Sequence, residues 1–236
     1  MKNFLNKSNY NIVIVASFFV SLILVHVFYL AFINPLSFEY MSYAKLNNIA
    51  PERHFSVILK DPEQKICLIM FLWSAIIATF NFYLLDDDYK KLLDDDNLLL
   101  NEMDIKIDES MSNNDIYSIL IENKFDLFQL DLSFIKYMSW AIPSIGFIGT
   151  VRGIGEALSR AAEAIDGDIT GMTTSLGVAF NSTFVALLLS IILMFIITRI
   201  EYKQDNLIIL VAFGGLNTSF IIMGGFLHYL ISLAHS

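Results

Sequence analysis

The sequence predicts an all-α, polytopic membrane helix bundle with long third and fourth helices and a small helical cytoplasmic part. Three observations carry this. Apolar residues make up 56% of the 236, with 20 Phe among them, and mean hydropathy is +0.59. Two runs of membrane length contain no acidic residue, lysine or arginine. Two further apolar runs are interrupted by small and polar residues at helical spacing. A composition this apolar leaves an ordinary soluble domain too little polar surface.

The first run, Ile12 to Ile33, carries only His26 as a basic group. It can cross a hydrocarbon core of ~30 Å at about 1.5 Å per residue. It exceeds the apolar region of a signal peptide and has no small-residue cleavage pattern before Asn34-Pro35, so it reads as a retained helix. The second run, Ile66 to Leu85, is equally uncharged. Residues 1–85 are therefore expected to form two spans joined by an extracytoplasmic loop. Lys2 and Lys7 precede the first span, Lys90, Lys91, Lys106, Lys124 and Lys136 follow the second, and Arg199 and Lys203 follow the fourth. These nine outnumber Lys45, Arg53, Lys60 and Lys65 of the loop between the first two spans, which favours an N-terminus inside.

Residues 86–132 then form a cytoplasmic, acidic helical segment. Leu85, Tyr89, Leu92, Leu93, Leu99, Leu100 and Met103 recur at helical spacing, so the second helix continues beyond the membrane. The runs Asp86 to Asp88 and Asp94 to Asp96 lack the alternating ligands, turn glycine and closing glutamate of a calcium loop. They read as a solvated helix face. Asn113-Asn114-Asp115 marks a break, and Ile116 to Leu132 an amphipathic helix leading into the third span.

Residues 133–205 hold the third and fourth spans, Phe134 to Leu158 and Thr173 to Thr198. Gly149, Gly153, Ala157 and Ala161 recur every fourth residue, with Gly146 on a neighbouring row. Ser175, Ala179, Ser182, Ala186 and Ser190 do the same on the fourth span. Small stripes let helices approach closely in lipid. Thr150 falls about 12 Å and Thr183 about 13 Å from the respective helix entrances, near the midplane. An unpaired hydroxyl in hydrocarbon costs ~1–3 kcal/mol. Each threonine therefore faces a partner, cavity or ion path, or bonds a carbonyl one turn back in its own helix. Arg152 and Glu156 are spaced to pair on one helix face. Residues 206–236 form a C-terminal apolar segment, a possible fifth membrane helix, with Gly214-Gly215 and Gly224-Gly225 as interruptions that allow a bend or a re-entrant hairpin.

Several function classes drop out. The net charge of −9 and the absence of a basic stripe exclude a nucleic-acid partner. His26, His54, His228, His235 and the single Cys67 lack ligand spacing, so no metal is expected. Gly149-Thr150-Val151-Arg152-Gly153 lacks the Gly-Lys-Ser/Thr ending of a phosphate loop. No nucleophile and base pair suggests an enzyme, and no cofactor is implied.

Ala141-Ile142-Pro143, Gly146, Gly149-Thr150-Val151 and Gly153-Ile154, followed by Ala179-Phe180-Asn181-Ser182-Thr183, resemble the MotA/TolQ/ExbB proton-channel family. The resemblance covers residues 139–199. It implies an ion-driven stator subunit in the bacterial inner membrane, a homopentamer in lipid around two single-span partners of the ExbD/TolR/MotB kind. The partner's helix carries an aspartate, and a proton or sodium gradient is converted to mechanical work. On this reading Thr150 and Thr183 line the ion path, flanked by Asn181 and Ser182. A threonine does not titrate usefully, so the partner supplies the carboxylate. One charge crossing 100 mV releases about 2.3 kcal/mol, against ~1 kcal/mol net for a hydrogen bond, so ion passage can remake such contacts stepwise.

Two positions depart from the ExbB and TolQ pattern. Arg152, which either pairs with Glu156 or serves as counter-charge to the partner's aspartate, stands where those members carry a bulky aromatic residue, and Val178 where they carry a glutamate. They support an alternative, a non-conducting membrane scaffold with the same pentameric bundle.

Overall fold

Lipid offers no hydrogen-bond partners, so the backbone of so apolar a chain must be satisfied within helices. The computed structural model describes residues 7–47, 49, 51–94, 113–165, 167 and 169–234. Its elements are α1 (Lys7–Phe28), a π-helical turn (Tyr29–Ile33), α2 (Asn34–Leu46), α3 (Phe55–Leu59), α4 (Pro62–Asp94), α5 (Asn113–Ser159), α6 (Ala161–Ile165) and α7 (Thr170–Ala234). No strand occurs among the described residues. Expectations for residues 95–112, and for His235, lie outside them. Among the described residues, 7–78 with 134–197 form one compact unit, and 79–94, 113–133 and 198–234 form another.

Among the described residues, three segments are long and apolar enough to cross a membrane: Ile12–Leu46, Pro62–Asp86 and Thr170–Ile209. All three begin or end away from the expected places, the last running from Thr170 to Ile209 rather than from Thr173 to Thr198. The first does not stop at Asn34-Pro35, because the π turn lies directly before the proline. The amide of Asn34 bonds Tyr29 O, five residues back. Pro35 has no amide to donate and its ring crowds the carbonyl four residues back, and the widened turn accommodates both. The second span starts at Pro62 rather than Ile66. Asp61, Pro62 and Glu63 are a helix-start sequence, with proline at the first helical position and an acid in the first turn.

The expected third span, 134–158, is not among the three. Lys136, Arg152 and Glu156, with its serines and glycines, dilute its apolarity, yet it is helical throughout as part of α5. The expected break at Asn113 to Asp115 is instead where α5 begins. The helix through the second span does continue past Leu85, to Asp94. The glycine pairs after residue 213 do not break α7, which runs on to Ala234.

In the first unit α1 is keyed to α4. Val25, Tyr29 and Ile33 form a buried stripe against Leu59, Leu68, Ile69 and Leu72. Tyr29 OH donates to Leu59 O at 2.7 Å and Trp73 Nε1 to Ile14 O at 3.0 Å. The Trp73 ring stands edge-on to Phe18 at 4.9 Å and to Phe134 at 4.7 Å, joining α1, α4 and α5. In the other unit Lys203 Nζ bonds Asp86 Oδ1 at 2.7 Å and lies 4.1 Å above the Phe82 ring, tying α7 to α4.

Pro143 stands inside α5. An ordinary residue there would donate its amide to Ser139 O. Proline cannot, and Ser190 Oγ from α7 donates to that carbonyl at 2.8 Å. Ser190→Ala is expected to cost ~1–2 kcal/mol by orphaning the carbonyl. Unfolding of the detergent-solubilised chain measures this, and Pro143→Ala in the same background should recover most of the loss.

Candidate functional site

The small stripes of α5 and α7 meet. A Cβ built on Gly153 would lie 2.7 Å from Ala179 N and 2.9 Å from its Cα. One built on Gly149 would lie 2.6 Å from Ser182 Cβ and 3.0 Å from Glu63 Cγ. Gly146 sits against Ala186 and the backbone of Ser182 and Thr183. Ala157, Ala179 and Ala186 are buried. Gly149 is therefore where α4, α5 and α7 converge.

This closeness brings the two threonines together. Thr150 Oγ1 and Thr183 Oγ1 are in direct hydrogen-bond contact. Thr150 Oγ1 also lies 3.1 Å from Ala179 O, across the interface, and 3.3 Å from Gly146 O of its own helix. Thr183 Oγ1 reaches Gly146 O at 3.3 Å, on the opposite helix. Bonding one turn back in the same helix accounts for one of these contacts only. Ser17 and Ser21 show the simpler pattern, each donating to a carbonyl of its own helix. Each threonine has one proton and several acceptors in reach. The pair thus has two donor arrangements: Thr183 to Thr150 with Thr150 to Ala179 O, or Thr150 to Thr183 with Thr183 to Gly146 O.

Next to the threonines, Ser182 is buried, donates to Val178 O at 3.0 Å and accepts from Gln64 Nε2 at 3.4 Å. Asn181 stands elsewhere, lining a pocket with Thr174, Gly177, Val178, Arg53 and Lys60. The structure groups Ser182, and not Asn181, with the threonine pair.

Arg152 corrects one expectation. It does not pair with Glu156. Its Nε lies 2.7 Å from Glu63 Oε1 and its Nη2 lies 2.9 Å from Oε2, a two-pronged pair between α5 and α4. Glu156 is held by Arg160, its own i+4 neighbour, at 3.0 Å. Glu63 is 10% exposed and Arg152 43%. The carboxylate is the desolvated partner, and it needs the arginine more than the arginine needs it.

Sequence reasoning missed Glu63 and Gln64 because it began the second span at Ile66 and left both in a loop. Asp61-Pro62-Glu63 was the available signal, since those residue types open helices. Among the described residues no group of three or more His, Cys, Asp or Glu is placed to hold a metal ion.

The sequence model of the MotA/TolQ/ExbB proton channel family matches residues 90–212. This takes in α5, the threonine pair and all of the third apolar span, and extends on both sides of the motifs read from the sequence. No curated protein and no solved structure is significantly similar to the chain. With its three apolar spans, the chain is a multi-pass membrane protein that belongs to the MotA/TolQ/ExbB proton channel family.

Proposed function

We propose that the chain is the ring-forming subunit of an ion-driven stator, with the Thr150–Thr183 pair as the polar element of its ion path. The observation that carries the reading is the hydroxyl pair itself. It bridges α5 and α7 and has two donor arrangements over shared carbonyls. A hydroxyl pair of this kind passes hydrogen-bond direction from one side to the other without moving a helix.

In this reading five copies surround two single-span partners of the ExbD/TolR/MotB kind in a bacterial inner membrane, with the N-terminus cytoplasmic. The partner's intramembrane aspartate exchanges the ion, a proton or sodium. The scaffold alternative drew on Arg152 as an obstacle, but the guanidinium is neutralised by Glu63, so it leaves no uncompensated charge at the threonines.

Thr150→Val with Thr183→Val keeps shape and deletes both hydroxyls. Ion flux in vesicles from the native host, where the partner is present, is expected to fall at least tenfold while the complex still assembles. Unchanged flux in the double variant overturns the assignment. Native mass spectrometry of the extracted complex tests its composition: five copies with two aspartate-bearing partners support the stator, and a partnerless homomer supports the scaffold.

A further inference from the structure

Polar groups reach the threonine pair from α4 as well. Glu63 Cγ stands beside Gly149, the residue before Thr150. Gln64 is fully buried and donates to Ser182, the residue before Thr183, while its Oε1 has no hydrogen-bond partner. Glu63, Gln64, Ser182 and the two threonines thus form one polar strip where three helices meet. An ionisable side chain in such a place is costly and calls for a function.

Arg152, the counter-charge of Glu63, has a second place to go. It lines a pocket of about 230 Å³ together with Lys60, Asp61, Glu156 and Arg160. Within this pocket Glu156 is engaged by Arg160 and Asp61 Oδ1 by Lys60 at 3.2 Å. Asp61 Oδ2 is buried and has no hydrogen-bond partner. A buried acceptor left unmade is unfavourable, and Arg152, whose guanidinium on the pocket wall carries five N–H donors, is a group able to satisfy it.

Resting on the ion-path reading above, we propose that Glu63 is a proton-exchanging carboxylate at the end of the threonine path where α4 begins, with Arg152 moving between Glu63 and Asp61. When Glu63 is ionised, Arg152 holds both its oxygens. A proton arriving from solution adds to one Glu63 oxygen, and Arg152 turns to Asp61 Oδ2. The neutral acid can then donate toward Ser182 or the Gln64 oxygen. Loss of the proton down the path recharges Glu63 and draws Arg152 back. The other groups facing Glu63 are Cys67 on the next turn of α4, Asp61 and Lys60 ahead of it, and the uncharged Ser182 on α7. The carboxylate comes from this chain, so the path does not depend on the partner's aspartate alone.

Two readouts on the full-length chain in native-host vesicles test this. The first is labelling by dicyclohexylcarbodiimide, a hydrophobic reagent that modifies protonated carboxyls, located by mass spectrometry. Glu63 is expected to label. Asp61→Asn, which makes the second seat of Arg152 less attractive, should lower the labelling. A Glu63 that never labels overturns the proposal without any variant having to fold. The second readout is proton flux. Glu63→Gln should lower it at least tenfold, and the swapped pair Glu63→Arg with Arg152→Glu should restore assembly but not flux. Flux restored by the swap marks a purely structural ion pair and overturns the proposal. Flux lost in the double valine variant but kept in Glu63→Gln overturns this inference alone; flux kept in both overturns the ion-path reading beneath it.

Discussion

Gly149→Leu is expected to abolish recovery of folded protein. The first added atom alone would lie 2.6 Å from Ser182 Cβ and 3.0 Å from Glu63 Cγ, and leucine adds three more. The side chain would enter the meeting point of three helices, one of them carrying a buried carboxylate. Overpacking by a few methylenes ordinarily costs ~1–3 kcal/mol, and more where the obstacle is backbone or a fixed ion pair. Gly153→Ala, whose Cβ meets the Ala179 backbone, should fall in that ordinary range. Gly155 is the control. Nothing lies within 4 Å of a Cβ placed there, so Gly155→Ala should be neutral or gain up to about 1 kcal/mol in helix propensity. Yield of monodisperse protein and thermal unfolding in detergent rank the three. Leucine at 149 with normal yield would mean that α5 and α7 do not pack through their small faces.

Arg152→Met is the second large effect. Removing one member of a fully buried ion pair costs ~3–5 kcal/mol; Arg152 is 43% exposed, so the loss here is expected below that range and above that of an exposed pair. Here the stranded member is Glu63, the more buried of the two. Arg160→Met provides the contrast. Its pair with Glu156 leaves both side chains 41% exposed, and exposed i,i+4 pairs contribute only ~0.3–0.5 kcal/mol. Two arginines eight positions apart on one stretch of chain should therefore differ several-fold in unfolding free energy. Equal losses would show that Glu63 is not held as described.

Much of this was legible in the sequence for a physical reason: helical period and apolar run length are local properties. They placed the first two spans and the small stripes, whose spacing is written in consecutive turns. The meeting of Thr150 with Thr183 could be read only from the paired motif, since no local rule places residues 33 apart in contact. Arg152 was paired wrongly because the i+4 rule sees neighbours on one helix, whereas Glu63 arrives from another, 89 residues away. The span at Asn34-Pro35 was ended too early because proline ordinarily ends an α-helical ladder, and a π turn is not visible in residue type. The partner of the Ser139 carbonyl was hidden likewise. Pro143 announces a missing donor but not which helix supplies the replacement.

The π turn at Tyr29–Ile33 has one more consequence, for how this chain tolerates change in length. One residue in an α-helix corresponds to about 100° of rotation and 1.5 Å of advance. The wide turn holds one residue more than an α turn, so it sets the azimuth of everything that follows up to Leu46. Buried Val25, Tyr29 and Ile33 continue as buried Ser37 and Ala44, while Phe38 and Tyr43 stay exposed. Deleting a single residue here would relax the turn to ordinary α-helix and leave α2 at its present azimuth, because the residue removed is the one the wide turn absorbs. Losing one amino acid at this point is therefore absorbed by the turn, whereas losing one from the α-helix on either side rotates all that follows by about 100°.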